Sequence, residues 1–254
     1  MLWYKSWLET RWRFLIGLAI LSCSAGVAVF TYPKVQELME FVPTNLGGML
    51  GDRIREAAEL ASSYRGYVWS NWFRQNLAQT GTLFAVLLGI ASVFSPSRGA
   101  LFTLSLPVSR QRVLGVRAMT GLAELSLLAF LPSLLLPLLA PAIHQSYSAG
   151  DALAHGLCFF VVASLFFSLA LFFSTVFSDP WRPLLIALGL AIAIGLAEQV
   201  FRFFIPSLPG LFRVMSGESW FRDGRLPWPG LAAAAAISAS IYYGAVRNLA
   251  RRDF

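Results

Sequence analysis

Apolar residues come in long runs from residue 14 to residue 246, broken by short polar or basic gaps. A bilayer core of ~30 Å takes about 20 residues of helix, and six stretches fit: 14–32, 77–95, 119–142, 153–177, 184–202 and 230–246. Their length and their Ala, Leu and Gly content predict helices; a membrane barrel would show short segments of alternating polarity. Ahead of the first run, Trp3, Trp7, Leu8, Phe14 and Leu15 recur at helical spacing, with Lys5, Glu9 and Arg13 elsewhere. That predicts an interfacial amphipathic helix over 1–13 that turns into the first span. In 33–76, Leu46, Leu50, Ile54, Ala57 and Ala61 fall near one stripe, with Asp52, Arg53, Glu56 and Glu59 on the polar side, a second amphipathic helix. Tyr64, Tyr67, Trp69, Trp72 and Phe73 follow it and predict an aromatic girdle at the outer interface. Residues 203–229 mix Pro206, Pro209, Pro227 and Pro229 with Phe212, Trp220 and Phe221, which predicts a loop on, or dipping into, the outer leaflet.

Composition turns this pattern into a fold class. The chain has 254 residues, 57% of them apolar and 13% charged; a soluble domain carries roughly a quarter charged residues. Its mean hydropathy is +0.64. A soluble enzyme, a disordered protein and a secreted disulfide scaffold are all excluded, leaving an all-α polytopic membrane protein. Cys23 and Cys158 both sit inside apolar runs, so no structural disulfide is expected. Ile20-Leu21-Ser22-Cys23 loosely matches a lipoprotein box, but Leu21 fits it poorly; the first span is read as uncleaved.

Charge sets the orientation. The net charge is +7, yet the basic residues form no continuous stripe, which argues against nucleic acid. They gather in 1–13, 96–118, 178–183 and 247–254, at about twice the Lys and Arg density of the other connections, which predicts both termini in the cytoplasm.

Candidate chemistry is sparse. No Gly-x-x-x-x-Gly-Lys-Ser/Thr loop exists to cradle a nucleotide, and His-Glu-x-x-His, paired cysteines and Gly-x-Ser-x-Gly are missing. No catalytic, cofactor or metal site is therefore expected in this chain, and it does not read as an enzyme. Met39, Met49, Met119 and Met215 do not cluster. His144 and His155 flank an outer connection and read as solvated interface histidines. Arg117 and Glu124, seven residues apart, share one face of the third span. Either Glu124 lines a translocation path or a subunit interface, or it meets a polar group on a neighbouring helix while Arg117 snorkels to the cytoplasm. Glu198 and Arg202 are placed to pair with each other on the fifth span. Small residues in the last two spans, including Gly189, Gly195 and the alanines after Gly230, permit close helix approach.

One cytoplasmic phrase carries a resemblance. Between the second and third spans the chain reads Ser95-Pro-Ser-Arg-Gly-Ala-Leu-Phe-Thr-Leu-Ser-Leu-Pro-Val-Ser-Arg-Gln-Arg112. Leu101, Phe102, Leu104 and Leu106 suffice to bury one side of a short helix, Pro107 breaks it, and Ser109 can cap the next. The Gly, the apolar stretch and the Leu-Pro-Val-Ser-Arg phrase resemble ABC-2-type permeases, the membrane subunits of export-type ABC transporters. The acidic residue that often opens this phrase in the family is missing before Arg98-Gly99-Ala100. The resemblance implies a permease subunit in a bacterial inner membrane, working as a homodimer or heterodimer. It implies a partner ATPase that binds ATP and Mg, docking on a coupling segment over 96–112. Arg98, Leu101, Phe102, Leu104, Leu106, Pro107, Arg110 and Arg112 would make that contact, joined by Trp3 and Trp7. A secondary transporter or channel, or a membrane anchor for a complex, are the competing readings of the same chain.

Overall fold

The first helix sets the frame of the bundle. Ser6, Thr10, Phe14, Gly17, Leu21, Ala25, Val29 and Tyr32 are buried along one seam of α1 (Leu2–Met39), spaced by three and four residues as one helix face requires. The opposite face presents Tyr4, Leu8, Trp12, Ile16, Ile20, Val27 and Phe30. The helix has 38 residues, about 57 Å at 1.5 Å per residue, so it projects well beyond a hydrocarbon core. The turn expected after residue 13 is absent. Residues 12–16, Trp-Arg-Phe-Leu-Ile, contain no helix breaker, and the one proline inside α1 is Pro33. The protein's structure, a computed structural model, describes residues 2–39, 48–90, 109–177, 179–204 and 210–251.

The amphipathic segment is helical as expected over α2 (Gly48–Ser62). Ala61 packs inward, whereas Ala57 of the expected stripe is exposed. Ser63 then caps α3 (Tyr64–Tyr67) by accepting the Gly66 N–H at 3.1 Å. The backbone stays right-handed helical through a π-helical stretch, Val68–Leu77, into α4 (Ala78–Gly89). This long π segment was not anticipated. It turns Val68, Trp69, Trp72, Phe73 and Leu77 to one buried face, so the expected interfacial girdle is a set of core aromatics instead. Burying indole and phenyl rings of this size outweighs any gain from leaving them at an interface. α4 ends at Gly89, and Ile90 is extended; the rest of the expected second span lies outside the described residues.

The remaining helices are α5 (Arg110–Leu139), continued by a 3-10 turn at Ala140–Ile143, α6 (Ala149–Val176) and α7 (Trp181–Phe204). Two short helices follow, α8 (Leu211–Met215) and α9 (Glu218–Asp223), then α10 (Trp228–Ala250). The expected loop over 203–229 is thus a helical hairpin where it is described. No strand occurs among the described residues. Five helices there are long and apolar enough to cross a membrane: α1, α5 with its 3-10 turn, α6, α7 and α10.

Alternating direction along the chain puts residues 2, 90, 110, 176 and 250 at one end of the bundle, here the terminal end. The far end carries 39, 64, 144, 204 and the α8–α9 hairpin. α6 is the central helix, packed on α4, α5, α7 and α10. Gly89 lets α4 press on it, since a Cβ there would stand 2.4 Å from the Phe167 carbonyl oxygen. α10 lies along α6 through Leu231, Ala234, Ser238, Ala245 and Leu249. Ser238 Oγ lies 2.8 Å from Ser168 Oγ and donates to the Ser164 carbonyl at 3.0 Å. Ser238→Ala is expected to cost about 1 kcal/mol, read as a lower melting midpoint in detergent. An unchanged midpoint would show that small-residue packing alone holds α10.

Candidate functional site

At the terminal end three helices meet over a buried polar junction. Helix α4 leaves its last carbonyls without intrahelical donors, as every helix does at its C-terminus. Two arginines reach them. Arg13 of α1 donates to the Leu87 and Ile90 carbonyls at 2.9 and 3.2 Å, and Arg117 of α5 donates to Ile90 at 3.0 Å. Positive charge at this end of a helix also meets the negative pole of its dipole. Arg117, 3% exposed, further donates to the Ser6 carbonyl at 3.2 Å and to Glu9 Oε2 at 3.4 Å. One turn deeper, Thr10 donates to Glu124 Oε1 at 2.5 Å.

The sequence pairing of Arg117 with Glu124 on one face of α5 is what the structure shows, and Glu124 meets a polar group on a neighbouring helix. Arg117 does not snorkel: it lies against α1 and α4, and its Nε has no hydrogen-bond partner among the described residues. Glu124 Oε2, also buried, has no partner among the described residues. Ser6 and Thr10 went unnoticed because small polar residues on a helix read as a solvated face, and Glu9 and Arg13 read only as its polar side. The signal was the spacing of Ser6 and Thr10, which places them on the same seam as Phe14 and Leu21, with Glu9 and Arg13 at its edge.

The contact residues expected around the cytoplasmic phrase fare unequally. Arg98, Leu101, Phe102, Leu104, Leu106 and Pro107 lie outside the described residues, as does the side chain of Arg110. Ser109 caps α5 as expected, its Oγ accepting from the Arg112 N–H at 3.4 Å, and Arg112 is exposed. Trp3 is exposed, whereas Trp7 turns inward, its ring 5.5 Å from that of Phe14. The described residues on either side of 91–108 are Ile90, whose carbonyl both arginines hold, and Ser109, two turns before Arg117.

A second polar cluster pins the hairpin at the far end. The Ser216 carbonyl accepts from Trp69 Nε1 at 3.0 Å and lies 2.9 Å from His155 Nδ1. A carbonyl only accepts, so Nδ1 carries the proton, and the buried Nε2 has no partner among the described residues. His155 is stacked on Phe73 at 4.4 Å; it is a core histidine, not the solvated one expected, while His144 is exposed. Gly217, at φ +66°, reverses the chain against it, where a Cβ would stand 2.6 Å from His155 Nδ1. Asp151 takes Arg65 on one oxygen and Trp220 on the other, both at 3.0 Å. Burial, and next the phenols of Tyr67 and Tyr32, push the Tyr64 phenol up to about 12; burial, then the Asp151 carboxylate, raises Tyr147 as well. Both phenols stay neutral at physiological pH. Glu198 accepts the Phe212 N–H at 2.9 Å, a bond across to the hairpin, while the side chain of Arg202, its expected partner, lies outside the described residues.

Among the described residues no group of three His, Cys, Asp or Glu side chains is placed to hold a metal ion. Cys23 and Cys158 are free thiols, one exposed and one buried. No family model, curated protein or solved structure matches the chain.

Proposed function

We propose that this chain is the permease subunit of an ATP-driven exporter, the reading its cytoplasmic phrase carries by resemblance to ABC-2-type permeases. It spans a bacterial inner membrane six times, the five long apolar helices being joined by the span expected over 77–95, of which α4 is the described part. Both termini are cytoplasmic, so the terminal end is the end a soluble partner meets. A separate nucleotide-binding subunit docks on 96–112 and hydrolyses ATP with Mg; a second permease, identical or related, completes the membrane part.

The observation that supports this reading is the buried junction. Arg13 and Arg117 fasten the last described residue before the docking stretch to both α1 and α5. A push delivered at Ile90 or at the start of α5 would therefore be shared among three helices. Such a joint suits a subunit that receives work from outside the membrane.

The test is a pull-down of the tagged chain in mild detergent. A nucleotide-binding subunit is expected to come with it at near-stoichiometric yield, and to be lost when Arg110 and Arg112 are both changed to Glu. Deleting 99–106 should have the same effect while membrane insertion persists. Retention of the ATPase by both variants would sink the docking assignment, and a folded protein with no ATPase would favour a secondary carrier or an anchor.

A further inference from the structure

The peripheral helix α7 touches α4 but does not close on it along its whole length. Between them, toward the far end, lies a cleft of about 600 Å³ with the α8–α9 hairpin as its roof. Its two walls run antiparallel and carry the same gradient. On the α4 side the lining passes from Arg74 and Gln79 to Leu83; on the α7 side it passes from Gln199 and Glu198 to Ile192 and Leu188. Both walls are polar at the far end and apolar toward mid-bundle. Leu188 to Gln199 is about 16 Å of helix, half of a ~30 Å hydrocarbon core. The cleft is therefore one leaflet deep. Its mouth lies between Leu83 and the exposed apolar residues Ile192 and Leu196, so it opens sideways onto the surface that faces lipid.

Among the described residues that line it, the rim is charged but balanced. Arg74 and Arg213 stand against Glu198 and Glu218, and Glu218 binds Arg213 at 2.7 Å and Arg222 at 3.0 Å. Glu198 accepts the Phe212 N–H on both oxygens and Arg74 lies over the Trp69 ring, so these lining charges already hold partners and offset one another. The rim presents no net charge to draw an anionic head, and a head that is itself neutral overall, carrying both charges, suits it better. The side-chain amides of Gln79 and Gln199 also line the rim. Gly195 keeps the middle of the cleft open, since a Cβ there would only touch the Phe212 ring at 3.5 Å.

We propose that this cleft is a phospholipid site, holding an acyl chain between Leu83 and Ile192 and a zwitterionic phosphate–ammonium head at the rim. The occupant enters from the leaflet facing away from the termini. The site needs only that the chain spans a bilayer, so it stands apart from the ATPase reading and is tested without nucleotide.

The experiment is native mass spectrometry of the full chain, released from detergent micelles loaded with phosphatidylethanolamine or phosphatidylglycerol of identical acyl chains. One phosphatidylethanolamine is expected to stay bound per chain, favoured about fivefold over phosphatidylglycerol. Gly195→Phe fills the cleft and should lower retention by a similar factor. Gly189→Phe serves as control, because a Cβ at Gly189 meets nothing within 4 Å, and should leave retention unchanged. Equal retention in both variants would mean that the lipid is held on the general surface, and a preference for phosphatidylglycerol would refute the headgroup assignment. Should Gly195→Phe fail to fold, the double variant Gln79→Leu, Gln199→Leu decides: weakened retention supports the site and undiminished retention overturns it.

Discussion

Replacing Arg117 by methionine is expected to destabilise the bundle by about 3–5 kcal/mol, the usual cost of removing one member of a buried charged network. Methionine fills much of the same volume, so the loss is chiefly electrostatic. The Ile90 and Ser6 carbonyls would each lose a donor, and Glu9 would lose its ion pair. Arg117→Lys should recover part of the loss, because an ammonium keeps the charge but cannot reach two carbonyls and a carboxylate with a planar fork. Glu9→Gln should cost much less, since the Glu9 side chain is 35% exposed and its contact is 3.4 Å long. Thermal midpoints in detergent, followed by size-exclusion chromatography after heating, give the ranking. An Arg117→Met protein as stable as the parent would show that the junction is not a structural joint.

The second large effect is expected at Gly217. A left-handed backbone costs an L-residue roughly 1–2 kcal/mol, and Gly217→Ala would pay that at φ +66° while driving its methyl to 2.6 Å from the buried His155 ring. Together these should exceed about 3 kcal/mol and loosen the hairpin from Trp69 and Phe73. Gly224 offers the matched control: its φ is +67° but no atom lies within 4 Å of its Cβ position. Gly224→Ala should therefore lose only the backbone part. Limited proteolysis in the hairpin, with the melting midpoint, separates the two. Equal behaviour of both variants would mean that the His155–Ser216 contact does not hold the hairpin in place.

Helix identity was legible in this chain because run length alone specifies it in a membrane. Local capping was legible too, since Ser109 followed by a helical run has one dominant way to satisfy the first N–H groups. The shared face of Arg117 and Glu124 follows from arithmetic on 3.6 residues per turn. What escaped was anything decided by a partner distant in sequence. Ser6 and Thr10 look solvated until Arg117 and Glu124, more than a hundred residues later, arrive beside them. Tyr64, Trp69 and Phe73 look like a belt until Tyr32, Phe221 and His155 cover them. The π segment was hidden for a related reason: its wider turns are chosen by packing five large side chains on one face, not by any propensity of Val68–Leu77.

The uninterrupted first helix has a mechanical meaning. From Leu2 to Tyr32 it is a stiff lever about 45 Å long, and a tilt of only ~5° about one tip would sweep the other by roughly 4 Å. Its near tip is gripped by Arg117 and Glu124. Its far tip ends in a bearing, where the Tyr32 ring lies 5.0 and 5.2 Å from those of Tyr64 and Tyr67. Pro33, directly after the bearing, is where a helix bends most readily. A small rocking at one face of the membrane would thus reach the other as a sideways displacement of the aromatic pad, with no stretching of any connection between.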